Sequence, residues 1–111
     1  GIKYYIEVAN MPTTNDALEF LKEQKHMVIA PSKAVNACGV AVSALEMAQN
    51  AERLYWTAEE VDAKMHQIMA NIYHSSVAAA ERYGLGYDLV AGANIVGFQR
   101  VADAMMAQGI F

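Results

Sequence analysis

Two short apolar runs, Ile2-Lys-Tyr-Tyr-Ile-Glu7 and Met27-Val-Ile-Ala30, are separated by one polar stretch long enough for a helix. That spacing is the strongest constraint on the fold. Residues of this kind, β-branched and aromatic, favour strands. The first run ends at Val8-Ala-Asn-Met-Pro-Thr-Thr14. There Pro12 biases Met11 toward an extended conformation and stops the strand. Thr13 or Thr14 is placed to cap a helix through Phe20 and Leu21. Asp16 and Glu19 near its start, and Lys22 and Lys25 near its end, complement the helix dipole. The second run stops at Pro31. Strand, turn, helix and strand make a βαβ unit, and its short apolar strands predict a parallel sheet covered on both faces. Two strands cannot form such a sheet alone, so neighbours from elsewhere are expected.

The next stretch, Pro31-Ser-Lys-Ala-Val-Asn-Ala-Cys-Gly-Val-Ala-Val-Ser-Ala-Leu-Glu-Met-Ala-Gln-Asn50, reads as a loop that becomes a helix at Asn36. Its side chains are small for a core helix. Asn36, Val40, Ser43 and Met47 share one face. Gly39 lies beside them, and a helix-interior glycine costs about 1 kcal/mol relative to alanine. Close approach of another backbone or of a ligand would explain it. The stretch alone favours tight packing. In open α/β sheets, however, ligands bind beyond the carboxyl ends of the strands. Those ends are Val8–Asn10 and Pro31–Asn36, on the same side of the sheet, which turns the balance toward a binding role.

The rest of the chain reads as helix. Thr57-Ala-Glu-Glu60 is a capping box. It opens a helix to about Arg82, with Val61, Met65, Ile68, Met69, Ile72 and Val77 at helical spacing. Gly84-Leu-Gly86 ends it. Asp88 or Asn94 opens the last helix, with Ile95, Phe98, Val101, Ala102, Met105 and Met106 expected inward and Gly109 as its stop.

Composition sets limits on partners. The apolar fraction is 55% and the charged fraction 18%, against about 45–50% and 25% in typical domains. That is more apolar surface than a small monomer hides, so an oligomer or further domains should cover it. A net charge of −4 without a basic cluster argues against nucleic acid. No run of about 18 apolar residues is present to span a membrane. The single cysteine, Cys38, excludes an internal disulfide and fits a reducing, cytoplasmic location. The opening Gly1-Ile-Lys-Tyr, without an initiator methionine, reads as the middle of a longer protein.

Local chemistry is sparse. His66 and His74 are eight apart rather than four, and His26 has no ligand-type neighbour, so no metal is expected. The seven methionines read as core filling, Cys38 as a small core residue, and Lys33 as a solvated loop lysine rather than a phosphate or carboxylate partner. Read alone, the residues describe part of an α/β ligand-binding domain without a complete active site.

Several longer motifs carry a resemblance. Ala9-Asn-Met-Pro-Thr-Thr14, Pro31-Ser-Lys-Ala-Val-Asn-Ala-Cys-Gly-Val40, Ser43-Ala-Leu-Glu-Met-Ala-Gln-Asn50, Gly92-Ala-Asn-Ile-Val-Gly-Phe98 and Val101-Ala-Asp-Ala-Met-Met-Ala-Gln-Gly109 resemble the C-terminal portion of the hexameric glutamate dehydrogenases. The resemblance implies reversible oxidative deamination of L-glutamate to 2-oxoglutarate and ammonium, with hydride passing to NADP or, less in keeping with the motifs, NAD. The family's catalytic lysines and aspartate belong to its substrate domain, so none is expected in this chain. By matching motif, Ser43 would hydrogen-bond the glutamate γ-carboxylate, Val40 would line the side-chain pocket, and Asn10 would approach the nicotinamide ribose. The sequence departs from the family at Val8, Ser32 and Cys38, where glycine is usual.

The expected architecture is therefore α/β and mostly helical. Residues 1–54 would close a Rossmann-like cofactor domain, with two parallel strands and a helix between them. Residues 55–111 would form a helical tail packed back on it, to give three helices after the sheet. Expected partners are the remainder of the chain and further copies in a homo-oligomer, with L-glutamate or 2-oxoglutarate as substrate. Two alternatives are a non-catalytic helical interaction module and a segment of another amino-acid dehydrogenase. Ser43 favours glutamate over the latter, where a nonpolar residue would be expected.

Overall fold

The computed structural model describes residues 1–109. Its elements are β1 (Tyr4–Ile6), α1 (Asn15–Lys22), β2 (Val28–Ala30), α2 (Ser32–Val35), α3 (Ala37–Glu52), α4 (Ala58–Arg82) and α5 (Leu89–Gln108). The strands pair in parallel, Tyr4 with Val28, Tyr5 with Ile29 and Ile6 with Ala30. A further bond from Glu7 N–H to the Ala30 carbonyl (3.0 Å) continues the ladder past the last strand residue. The βαβ unit is present, and the chain is mostly helical around it.

Local chemistry explains several element ends. Thr14 caps α1 by accepting from Ala17 N–H. Thr57 and Glu60 form the reciprocal capping box of α4, with Thr57 N–H donating to Glu60 Oε2 at 2.7 Å. Asp88 rather than Asn94 caps α5, accepting from Ala91 N–H at 2.9 Å. After α4, Gly84 takes φ +71°, a left-handed value that costs glycine little, and Leu85 N–H returns to the Ala80 carbonyl at 2.9 Å.

The core lies where α4 and α5 cross, against β2 and α2. Ser76, Ala79 and Ala80 of α4 are buried, as are Leu89 and Gly92 of α5 and Ile29 of β2. Small residues let the two helix backbones approach. A Cβ added at Gly92 would stand 2.0 Å from the Ser76 carbonyl oxygen and 2.8 Å from its carbon. No side chain larger than hydrogen fits there. Ser76 Oγ, buried at this crossing, donates to the Ile72 carbonyl at 2.8 Å.

Four expectations are corrected. Met11 is not extended: it has φ +47°, a left-handed turn that places Pro12 and leads the chain into the α1 cap. The segment Pro31–Asn36 is not a plain loop. Four of its residues form α2, with Val35 and Asn36 N–H groups closing helical bonds to Pro31 and Ser32. The helix after it runs to Glu52 and stops at Arg53, itself left-handed at φ +57°.

The fourth correction concerns burial. The sheet is not covered on both faces, since Tyr4 and Ile6 are exposed. Phe98, Val101, Met105 and Met106 of α5 are exposed rather than inward. Of the methionines read as core, Met11, Met47, Met105 and Met106 are exposed. The accessible surface is 8402 Å², whereas a monomer of this mass typically shows about 6000 Å². The radius of gyration is 16.7 Å against about 13 Å for a compact chain of this length. Among the described residues these faces have no partner, because two strands and one crossing helix pair cannot enclose them.

Candidate functional site

Parallel pairing brings the carboxyl ends of both strands to one edge, and side chains stitch the adjoining segments together. Ser32 N–H donates to Glu7 Oε2 at 3.3 Å. Asn36 Nδ2 donates to Asn10 Oδ1 at 2.6 Å. Lys33, in α2 rather than a loop and exposed, donates from Nζ to Asn94 Oδ1 of α5 at 2.5 Å. On the face opposite exposed Tyr4 and Ile6, the Tyr5 and Thr13 hydroxyls bond at 2.8 Å and tie the turn after β1 to the strand.

From this junction α3 projects with its polar face open. Val40 is 77% exposed and Ser43 is exposed. A Cβ added at Gly39 would meet nothing within 4 Å. Tight packing within the described residues therefore does not explain the small side chains. Ser43 Oγ donates to the Gly39 carbonyl at 3.3 Å, a long back-bond within its own helix. A carboxylate would compete well for that proton, because charge-assisted bonds are about twice as strong as neutral ones. Val40 and Ser43 share the open face of α3, and Asn10 stands at the junction from which that face extends.

The Asn10–Asn36 bond consumes one amide nitrogen and one carbonyl oxygen. The Asn10 amide keeps its donors and the Asn36 amide its oxygen acceptor at the sheet edge. That donor set suits neutral hydroxyl and amide groups, with no charge required. Asn36 does not cap α3 through its side chain; that group is committed to Asn10 instead.

A larger hollow, about 590 Å³, lies elsewhere among the described residues. Glu46, Met47, Gln49, Asn50, Arg53, Leu54 and Tyr55 line it, where the chain turns between α3 and α4. It is wide open and holds none of the predicted site residues.

Other candidates are set apart by the geometry. His26, His66 and His74 are exposed, and His74 packs edge-on against Tyr73, with ring centroids 5.2 Å apart. Among the described residues, no group of three or more His, Cys, Asp or Glu side chains is gathered to hold a metal, and no helix is long and apolar enough to cross a membrane. Cys38 is half-buried. Glu7, only 7% exposed, escaped the sequence reading. Its signal was a carboxylate closing an otherwise apolar strand run.

The model of the Glutamate/Leucine/Phenylalanine/Valine dehydrogenase family matches residues 1–109. The chain belongs to this family. It is 75% identical over 110 residues to the NAD-specific glutamate dehydrogenase of Clostridium symbiosum, covering 99% of this chain and 24% of that one. It is 55% identical over 112 residues to the NADP-specific glutamate dehydrogenase of Escherichia coli, again covering 99% of this chain and 24% of the relative. A solved glutamate dehydrogenase structure superposes with a TM-score of 0.93 at 76% identity, over 97% of this chain and 24% of the other. This member of the dehydrogenase family thus spans about a quarter of the length of the relatives it matches.

Proposed function

We propose that this chain is one wall of a glutamate dehydrogenase cleft, in a protein that interconverts L-glutamate with 2-oxoglutarate and ammonium. In this reading residues 1–54 close a cofactor-binding domain and residues 55–111 form a helical tail packed on it. Ser43 donates a hydrogen bond to the γ-carboxylate, Val40 contacts the aliphatic part of the substrate, and Asn10 faces the ribose of the nicotinamide coenzyme. The coenzyme, when bound, accepts the hydride. The single observation that carries the reading is the open Val40–Ser43 face of α3, beside the strand ends, in a family member whose relatives include glutamate dehydrogenases.

Energetics set the division of labour. One hydroxyl bonded to a carboxylate contributes about 1.5–3 kcal/mol, enough for selectivity but not for holding the substrate. The main charge on glutamate has to be met by cations outside this chain, as does proton transfer. The motifs favour NADP, whereas the 75% identical relative is NAD-specific; we propose NAD as the coenzyme to test first. The exposed strands and the outer face of α5 support a homo-oligomer in which further chain covers them.

The test is an assay of the full-length protein containing this sequence. With glutamate and NAD or NADP, reduced nicotinamide should accumulate. Equal or faster turnover of an aliphatic amino acid such as leucine or valine would contradict the glutamate reading.

A further inference from the structure

Helix α2 is held at both ends by side chains from the segment closing β1. Glu7 takes the Ser32 N–H at the first residue of α2, 3.3 Å away. Asn10 takes the Asn36 side-chain amide at the break between α2 and α3, 2.6 Å away. Between them Lys33 reaches across to Asn94 of α5 at 2.5 Å. These bonds connect positions 25, 26 and 61 residues apart in the chain. The four-residue helix cannot orient itself, because so short a helix is not stable alone.

Glu7 is the unusual member of the set. It is 7% exposed, its backbone N–H is already used in the sheet ladder, and its carboxylate is aimed at a backbone donor. A carboxylate this buried costs free energy unless hydrogen bonds compensate it. Apolar residues would serve the strand better. Its value lies in what it holds: α2 leads directly into α3, and Val40 and Ser43 come one and two turns after Asn36.

We infer that Glu7 is a positioning residue for substrate recognition. By fixing the first residue of α2 it sets the direction in which α3 leaves the sheet edge, and so where Val40 and Ser43 stand. It touches neither substrate nor coenzyme. The inference rests on the proposed glutamate-binding role of the α3 face.

The test compares Glu7→Ala and Glu7→Gln with the unaltered full-length protein. Glu7→Gln retains an acceptor oxygen without the charge. For Glu7→Ala the KM for glutamate should rise about tenfold, with the coenzyme KM changed less than about twofold. Glu7→Gln should recover most of that loss. Amide exchange at Ser32 and Asn36 should be faster in Glu7→Ala and near normal in Glu7→Gln. An unchanged glutamate KM in a folded Glu7→Ala protein overturns the inference. So does a loss spread equally over both KM values and kcat that glutamine does not recover. If the unaltered protein turns over no glutamate, the activity reading fails instead. Amide exchange then still decides whether Glu7 clamps α2, and unchanged exchange at Ser32 in Glu7→Ala removes the clamp.

Discussion

The α4–α5 crossing and the α3 face are built from similar small residues, yet one is closed and the other open. At the crossing, Gly92 lies so close to Ser76 that a single added carbon would sit 2.0 Å from a carbonyl oxygen. On α3, the same addition at Gly39 meets nothing within 4 Å. Glycine and alanine thus mark two different things in one chain. At the crossing they permit backbone contact, and stability depends on them. On α3 they leave room for something outside this chain, and stability gains nothing from them. An open face that costs helix propensity and buries no neighbour is better explained by recognition than by folding.

The largest effect should come from closing the distinction at the crossing. Gly92→Ala forces α5 off α4 and should cost about 3 kcal/mol of stability, read from urea unfolding. Gly39→Ala should leave stability unchanged or raise it by up to about 1 kcal/mol. Equal losses at both positions would erase the contrast. Next, Thr57→Ala removes the reciprocal cap of α4 and should cost about 1 kcal/mol. A loss near zero would mean that the cap does not hold that end. Smaller still, Arg53→Gly relieves a left-handed residue at the end of α3 and should add a few tenths of a kcal/mol.

The smallest effect is a pH dependence. The Tyr73 hydroxyl, 2.7 Å from Tyr87, raises the Tyr87 pKa above its usual value, with partial burial adding to it. A raised pKa means the folded state holds this proton more tightly than the unfolded state does. The contribution is full below pH 10 and fades as pH climbs from there through the folded value. Tyr73→Phe should bring the Tyr87 titration, monitored by tyrosinate absorbance, back toward its ordinary range.

Much of this structure was legible in the residues. The two apolar runs located both strands, the capping box located the start at Thr57, and the other helix starts were narrowed to Thr13 or Thr14 and to Asp88 or Asn94, of which Thr14 and Asp88 are the caps. The features that escaped depend on distant partners. The four residues of α2 carry no periodic signal, and their order comes from Glu7, Asn10 and Asn94, far away in sequence. Helical spacing placed Phe98, Val101, Met105 and Met106 on an inward face, but no described element of this chain arrives to cover them. An apolar stripe declares that a surface will be covered, not which chain segment will cover it. The positive φ at Met11 escaped because methionine carries no signal for a left-handed turn. At the candidate site, Val40, Ser43 and Asn10 came from matching motifs. Their local spacing showed only a face of small side chains.

The most direct test of that face is substrate discrimination by Ser43→Ala in the full-length protein. Norvaline keeps the length of the glutamate side chain to the δ-carbon but lacks its carboxylate. If Ser43 donates to the γ-carboxylate, kcat/KM for glutamate should fall roughly ten- to a hundredfold while that for norvaline holds steady, so the ratio of the two collapses. An unchanged ratio, whether both values fall together or neither moves, would contradict the assignment of the α3 face to glutamate.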